Sequence, residues 1–242
     1  MQGLVTLDFG NTRATAGIFS LEKTPKLLKK LPLSALKENL SQMGFSAHNA
    51  QIALSDVRPR EEELRSFVEE GYFITRVKDY WKGKRFHGMA VNYTETLGED
   101  RLISAFYVFK KLKTNALIID AGTFVTIDVI TQEGFQGGFI APGTEAYFSS
   151  FQRGENLKSV SLTPSTMKGI PHDTMEAMAR SYSAFAALVR EITREHQIQK
   201  VLITGGGASF WQELLSDLDV EMHPDLIHFA LHYWMTTQIE PL

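Results

Sequence analysis

Apolar positions along this chain gather in short runs that end in Asp, Gly or Pro, which is the pattern of strands and turns more than of long helices. Leu4–Phe9 and Ala14–Phe19 read as a hairpin about a turn at Gly10-Asn11. "KLLKKLPLSALKENLSQMGF", residues 26–45, is lysine-rich and partly helical, with Pro32 interrupting it. "AQIALSDVRP" predicts a buried strand ending at Pro59, and "REEELRSFVEEGY" an acidic helix stopped by Gly71. Residues 101–112 space their apolar positions as a helix on a core. "NALIIDAGTFVTIDVITQEGFQGGFIAPG" follows as three strands with turns at Ala121-Gly122-Thr123 and Glu133-Gly134. Residues 174–197 predict the longest clean helix, and "KVLITGGGASFWQELL" a strand, a glycine turn and a helix.

Two of these segments echo each other. "LVTLDFGNTRATAGIF" and "ALIIDAGTFVTIDVI" share the order apolar strand, Asp, one residue, Gly, Thr, second strand, with Asp8 and Asp120 lying 112 positions apart. A repeat of that size predicts two similarly folded halves facing each other, 1–112 and 113–242, with the boundary in "KKLKTN".

Composition narrows the class. Of 242 residues 43% are hydrophobic and 22% charged, as in ordinary globular proteins, and 242 residues suffice for a real core. A formal net charge of −3 supplies no global field for nucleic acid or anionic lipid. The absence of cysteine excludes disulfides, thiolate zinc sites and a cysteine nucleophile, and suits a reducing cytoplasm. "MQGLVTLDFGNT" has no basic region followed by a long apolar stretch, and no apolar run approaches the ~20 residues of a membrane span. The expectation is a soluble, cytoplasmic protein that binds neither membrane nor nucleic acid.

An aspartate at the end of an apolar strand, followed by glycine, is poor core chemistry. Glycine lets backbone N–H groups approach a phosphate, and the carboxylate acts through Mg²⁺ or orients a proton. One Asp-x-Gly turn is also an ordinary tight turn; two in register favour a polyphosphate clamp. Thr204-Gly205-Gly206-Gly207 opens a helix on which a nucleotide could rest its adenosine or phosphate side, although close packing explains a glycine triplet equally. Gly-x-Gly-x-x-Gly and the Gly-x-x-x-x-Gly-Lys-Ser/Thr loop do not occur. His228 and His232 of "HFALH" lie one helical turn apart without a partner set for zinc, and read as a helix face. "RVKDYWKGKRFHG", residues 76–88, mixes basic and aromatic side chains but reads as a solvated loop or pocket rim in an acidic protein.

"DFGNT", "TLGEDR", "DAGTFVTID", "GGFIAPG" and "ITGGG", in that order, resemble the type III pantothenate kinases, the family that includes the Bvg accessory factors. That family belongs to the acetate kinase, actin and sugar kinase superfamily. The resemblance implies an α/β fold of two ribonuclease-H-like, actin-like ATPase lobes with the nucleotide cleft between them. It implies ATP-dependent phosphorylation of pantothenate to 4′-phosphopantothenate, the first step of coenzyme A biosynthesis. It also implies ATP, Mg²⁺ and a monovalent cation (K⁺ or NH₄⁺) as requirements, and a homodimer. Asp8, Gly10, Asn11 and Thr12 match the first phosphate motif, with Asp8 near Mg²⁺; Asp120, Gly122 and Thr123 match the second, with Asp120 near the monovalent cation. Gly205 and Gly206 fall on the nucleotide side. Gly98, Asp100 and Arg101 match the substrate signature, with Asp100 as catalytic base and Arg101 holding the substrate; Tyr93 precedes it. Ile140 and Gly143, behind Gly137-Gly138, match the loop beside pantothenate, and Thr174 a threonine lent by the partner subunit. On the residues alone Asp100 serves equally as an N-cap of the following helix; the resemblance favours catalysis. The chain departs from the family in "NYTETLG", which lacks a proline, and at Ser181 and Ala230, where glycine is usual. Two alternatives accompany this reading: a kinase for another small hydroxyl compound, and a non-catalytic nucleotide-binding regulator.

Overall fold

The computed structural model describes residues 3–20, 26–58, 60–152 and 170–237. Two compact units emerge, one formed by the chain up to Lys111 together with the residues from Asp225 on, the other by Leu112–Pro224.

The first unit begins with β1 (Gly3–Phe9), β2 (Ala14–Ser20) and β3 (Leu27–Pro32), a three-strand antiparallel meander. The segment 26–45, read as partly helical, therefore opens with a strand before α1 (Leu36–Gln42). Lys29, Lys30 and Pro32 lie on that exposed sheet edge, where charge and proline discourage further pairing and hide the strand pattern. β4 (Ala50–Asp56) pairs parallel with β1, and β5 (Ile74–Arg76) parallel with β4 after α2 (Glu61–Glu69). β4 ends at Asp56; Pro59, its expected terminus, lies outside the described residues. The spatial order is β3-β2-β1-β4-β5. Val5, Leu7 and Phe9 alternate onto one face and pack with Leu36, Leu40, Leu64 and Phe67 of α1 and α2. A 3₁₀ turn (Val77–Tyr80), the short strands β6 (Arg85–Phe86) and β7 (Met89–Val91), and α3 (Glu99–Leu112) complete the main body. Among the aromatic groups of residues 76–88, Phe86 serves the core, buried edge-on against Phe106, while Tyr80 is exposed.

The second unit repeats the plan. β8 (Ala116–Ala121), β9 (Phe124–Thr131) and β10 (Gly134–Pro142) form the antiparallel meander, followed by α4 (Thr144–Phe151), α5 (Thr174–Ser181) and α6 (Ser183–Glu195). β11 (Lys200–Thr204) then pairs parallel with β8, and after α7 (Ala208–Leu214) β12 (Val220–Met222) pairs parallel with β11. Within this unit the spatial order is β10-β9-β8-β11-β12, which matches the first sheet strand for strand. Leu117, Ile119 and Ala121 of β8 pack with Ala186, Val189 and Ile192, spaced by three on α6, and with Trp211 of α7.

The helix expected over 174–197 is two helices, broken at Tyr182 and ending at Glu195. The hydroxyls of Ser181 and Ser183 donate to the carbonyls of Met178 and Arg180, three residues back, at 2.7 and 2.5 Å. Such local bonds compete with the helix ladder. Tyr182 itself is buried, its OH donating to the Pro142 carbonyl at 3.3 Å, and burial pushes its phenol up to about 12.

α8 (Leu226–Thr237) packs on β1, β2 and β4 of the first unit, and its all-round apolar surface suits a buried helix. His228 is locked there. Its Nδ1–H donates to Thr6 Oγ1 at 2.9 Å, Thr6 donates to the Gly17 carbonyl at 3.3 Å, and Thr15 Oγ1 donates to His228 Nε2 at 3.1 Å. Both ring nitrogens of His228 are thus used by hydroxyls, and among the described residues no group of three or more metal-ligating side chains forms. Burial, with Lys30 nearby and Asp225 opposing, pushes His228 down to about 4, and burial alone does the same to His232.

His232 has a buried Nε2 with no hydrogen-bond partner among the described residues and lies against the Phe19 ring at 4.6 Å. It is neutral in the fold and protonated in an unfolded chain below its ordinary 6.5, so stability present above 6.5 is lost as pH falls towards 4. His232→Phe should therefore gain on the parent chain as pH falls through that window, by on the order of 3 kcal/mol at its end. Urea unfolding at several pH values checks this; a pH-independent difference contradicts it.

Candidate active site

Each unit carries its aspartate at the C-terminal end of its central strand. Asp8 on β1 sits in register between Thr15 of β2 and Ser55 of β4. Asp120 on β8 sits in the same way between Thr126 of β9 and Thr204 of β11. Every carboxylate is thus flanked by a hydroxyl residue on both sides. Ile140 extends the second row, opposite Thr126.

In the first unit Asp8 is half-buried with its Oδ1 enclosed, while Asn11 and Thr12 are exposed at the turn beyond. Side chains from beyond β4 hold this turn: Arg58 Nη1 donates to the Asn11 carbonyl at 3.2 Å, and Arg60 Nη2 to the Gly10 carbonyl at 3.4 Å. The Val57 N–H donates to the Phe9 carbonyl at 3.1 Å. Two guanidinium groups beside the turn add positive charge that sequence reasoning did not assign. The only signal for them was "DVRPR" directly after an apolar strand.

The end of β4 also anchors the start of α3. Glu99 is buried, and its Oε2 accepts the backbone N–H groups of Asp56 and Lys78, each at 3.3 Å. Burial pushes Glu99 up to about 7, with Asp56 adding to the rise and the two N–H groups and Lys78 opposing it. Asp56 is buried as well, with Arg76 Nη1 3.9 Å from its Oδ2. Burial raises its carboxyl, against Arg76, Lys78 and Arg60. Asp100 follows at the first turn of α3, and burial raises its carboxyl against the N–H and charge of Arg101. Its Oδ1 accepts the Arg101 N–H at 2.8 Å and occupies the space that a Cβ on Gly98 would need. Any side chain at 98 would displace that carboxylate. Arg101 is buried with its guanidinium over the Tyr93 ring, 5.2 Å from the centroid. Tyr93, Gly98, Asp100 and Arg101, expected together from the sequence, form one cluster.

In the second unit three turns converge by backbone contact. The Gly143 N–H donates to the Thr123 carbonyl at 3.0 Å, the Gly207 N–H to the Ala121 carbonyl at 2.8 Å, and the Gly122 N–H to the Phe124 carbonyl at 3.0 Å. Gly205 has φ +86°, and a Cβ there would stand 2.5 Å from Asp120 Oδ1 and 2.6 Å from the Ala121 carbonyl oxygen. Only glycine fits at that position. Gly206, beside it, borders open space, with nothing within 4 Å of where a Cβ would stand. Asp120, Gly122, Thr123, Gly143, Gly205 and Gly206 therefore share one end of the second sheet. Ile140, 60% exposed, lies on β10 beside exposed Phe139. Thr174 is exposed at the first turn of α5, whose N-cap Asp173 accepts the Glu176 N–H at 2.8 Å.

Each unit thus ends its central strand in a carboxylate beside a glycine turn, and the first unit adds Asp100 and the Arg101 guanidinium over the Tyr93 ring. The family model for type III pantothenate kinase matches residues 4–195. The chain belongs to the type III pantothenate kinase family. The type III pantothenate kinase of Geobacter sulfurreducens is 30% identical over 234 residues, covering 85% of this chain and 88% of that protein. The type III pantothenate kinase of Endomicrobium trichonymphae is 29% identical over 247 residues, covering 89% and 92%. Among solved structures, a Campylobacter jejuni protein described as a Baf family transcriptional activator matches with TM-score 0.61 and 20% identity over 96% of this chain and 97% of its own. Component A of (R)-2-hydroxyglutaryl-CoA dehydratase from Acidaminococcus fermentans matches with TM-score 0.51 and 12% identity over 96% and 95%. These two likenesses carry the fold alone. They agree with two ribonuclease-H-like units of actin-like ATPase type, the class expected from the motifs.

The adjoining glycines 205 and 206 differ in packing, the one enclosed and the other bordering open space. Gly205→Ala should lower stability by about 2 kcal/mol or more, from its positive φ and its clash with Asp120. Gly206→Ala, into open space, should leave stability within about 0.5 kcal/mol. Thermal unfolding of both variants reads the difference; a Gly205→Ala chain as stable as its parent contradicts the packing described.

Proposed function

We propose that the chain transfers the γ-phosphoryl group of ATP to the 4′-hydroxyl of pantothenate, with Asp100 accepting the hydroxyl proton. The observation that carries this is the Gly98–Arg101 cluster. A carboxylate whose proton affinity burial has raised, oriented by the Arg101 N–H and kept clear by Gly98, is suited to take a proton from an alcohol. Arg101, buried and stacked on Tyr93, holds the substrate carboxylate by a bidentate fork.

Gly10, Asn11 and Thr12 of the first unit are phosphate-binding residues, as are Gly122, Thr123, Gly205 and Gly206 of the second. Asp8, half-buried at the end of β1 beside the exposed Asn11-Thr12 turn, offers a carboxylate that would hold Mg²⁺, an ion that keeps most of its waters. Mg²⁺ bound with ATP supplies charge neutralisation on the phosphates. Asp120, between Thr126 and Thr204, offers oxygens suited to a monovalent cation such as K⁺ or NH₄⁺. The cysteine-free composition fits a cytoplasmic setting.

Asp100→Asn keeps the shape of the side chain and removes its proton-accepting ability. Turnover of pantothenate with Mg-ATP and K⁺ should fall about 10²–10⁴-fold while substrate binding persists. Steady-state rates with calorimetric binding measure this, and near-parental turnover would overturn the base assignment.

The working unit is a homodimer that completes each pocket with the partner's Thr174. Exposed Phe124, Phe139, Ile140 and Met175 on the second unit support an apolar contact between copies. Mixing inactive Asp100→Asn and Thr174→Arg chains should restore part of the activity, because one pocket of each mixed dimer then carries no lesion. No rescue on mixing, with dimers present by light scattering, would mean that each pocket is built from one chain.

A further inference from the structure

Glu99 is the buried titratable group that the reaction above does not use, and it stands next to the proposed base. A glutamate at the first turn of a helix ordinarily faces solvent and favours the helix dipole. Here it turns inward and is only 7% exposed. Its Oε2 takes two backbone N–H groups that no turn of α3 supplies, one from Asp56 at the end of β4 and one from Lys78 in the 3₁₀ turn Val77–Tyr80. The same stretch of chain after β4 holds the Gly10-Asn11 turn through Val57, Arg58 and Arg60.

We propose that Glu99 is a positioning residue for Asp100 and Arg101, clamping the first turn of α3 to the end of β4 and to the Val77–Tyr80 turn. The proposal rests on the roles given to Asp100 and Arg101 above. A helix start held from two directions fixes where the next two side chains leave the backbone, and a displacement of about 1 Å in a reacting group is enough for a 10²-fold loss of rate. The charged groups that face Glu99 are Asp56 on β4 and Lys78 on the 3₁₀ turn, with Arg76 on β5 against Asp56. With its carboxyl pushed up to about 7, Glu99 exchanges its proton near neutrality. The ionised form accepts both N–H groups more strongly than the neutral acid, so the clamp tightens as pH rises through that value.

The test uses the full chain, with Glu99→Gln, Glu99→Ala and Asp100→Asn. In the parent chain the amide protons of Asp56 and Lys78 should titrate together with a midpoint near 7, and Glu99→Gln should abolish that titration. Glu99→Gln keeps an oxygen acceptor, so its kcat/KM for pantothenate should stay within about threefold of the parent at pH 8 and lose the pH dependence near 7. Glu99→Ala should lose about 10–100-fold in kcat/KM. Amide shifts of Asp56 and Lys78 that stay fixed between about pH 5 and 9 would overturn the clamp, as would a Glu99→Ala enzyme within twofold of the parent. Should Glu99→Ala fail to fold, the amide titration and the Glu99→Gln profile decide alone. An active Asp100→Asn chain would remove the base assignment without moving the amide titration, so the two failures are distinct.

Discussion

A central strand paired antiparallel on one side and parallel on the other brings its last residues into row with both neighbours: Phe9 stands opposite Ala14 and Asp56, and Asp120 opposite Thr126 and Thr204. Both units use that end for polar chemistry. β1 between β2 and β4, and β8 between β9 and β11, bury their apolar residues along the ladder and each reach an aspartate at the next-to-last residue. The hydroxyl residues beside each aspartate follow from register: the side-chain period of two puts Thr15, Ser55, Thr126 and Thr204 on the same rows. A slip of one residue would turn every one of these groups to the opposite face. The parallel pairing therefore fixes the site as firmly as it fixes the core.

Burial of charge sets the character of the first unit around the start of α3. Asp56, Glu99 and Arg101 are all buried, a poor choice for stability on its own. Each has a compensating neighbour: Arg76 lies 3.9 Å from Asp56, Glu99 accepts two backbone N–H groups, and the Arg101 guanidinium lies over the Tyr93 ring. The second unit reaches the same end with almost no charge, through glycines that let the Ala121, Thr123 and Gly205 turns pack backbone on backbone.

Much of this was legible in the sequence. The strands about Asp8 and Asp120 are long, apolar and sharply terminated, so they and their turns stood out. The glycine turn after β11 and the apolar spacing of α3 were equally plain. β3 was not, because three consecutive exposed residues at a sheet edge carry no alternation. The break at Tyr182 depends on where a buried phenol and two serine hydroxyls find partners, which apolar spacing does not register. Nor could Glu99 be found: a glutamate at the first turn of a helix ordinarily faces solvent, and only its bond to the end of β4 reveals that it is inside. Arg58 and Arg60 escaped for the same reason, since their targets are main-chain carbonyls 47 and 50 residues earlier.

Two acidic turns, one in each unit, serving phosphoryl transfer to pantothenate is the claim on which the rest stands. The most direct measurement is ³¹P NMR of the purified chain with Mg-ATP and pantothenate. A phosphate monoester resonance on the 4′-oxygen of pantothenate should grow in step with ADP. ADP released without that ester, or ATP bound but unchanged in the presence of pantothenate, would contradict it.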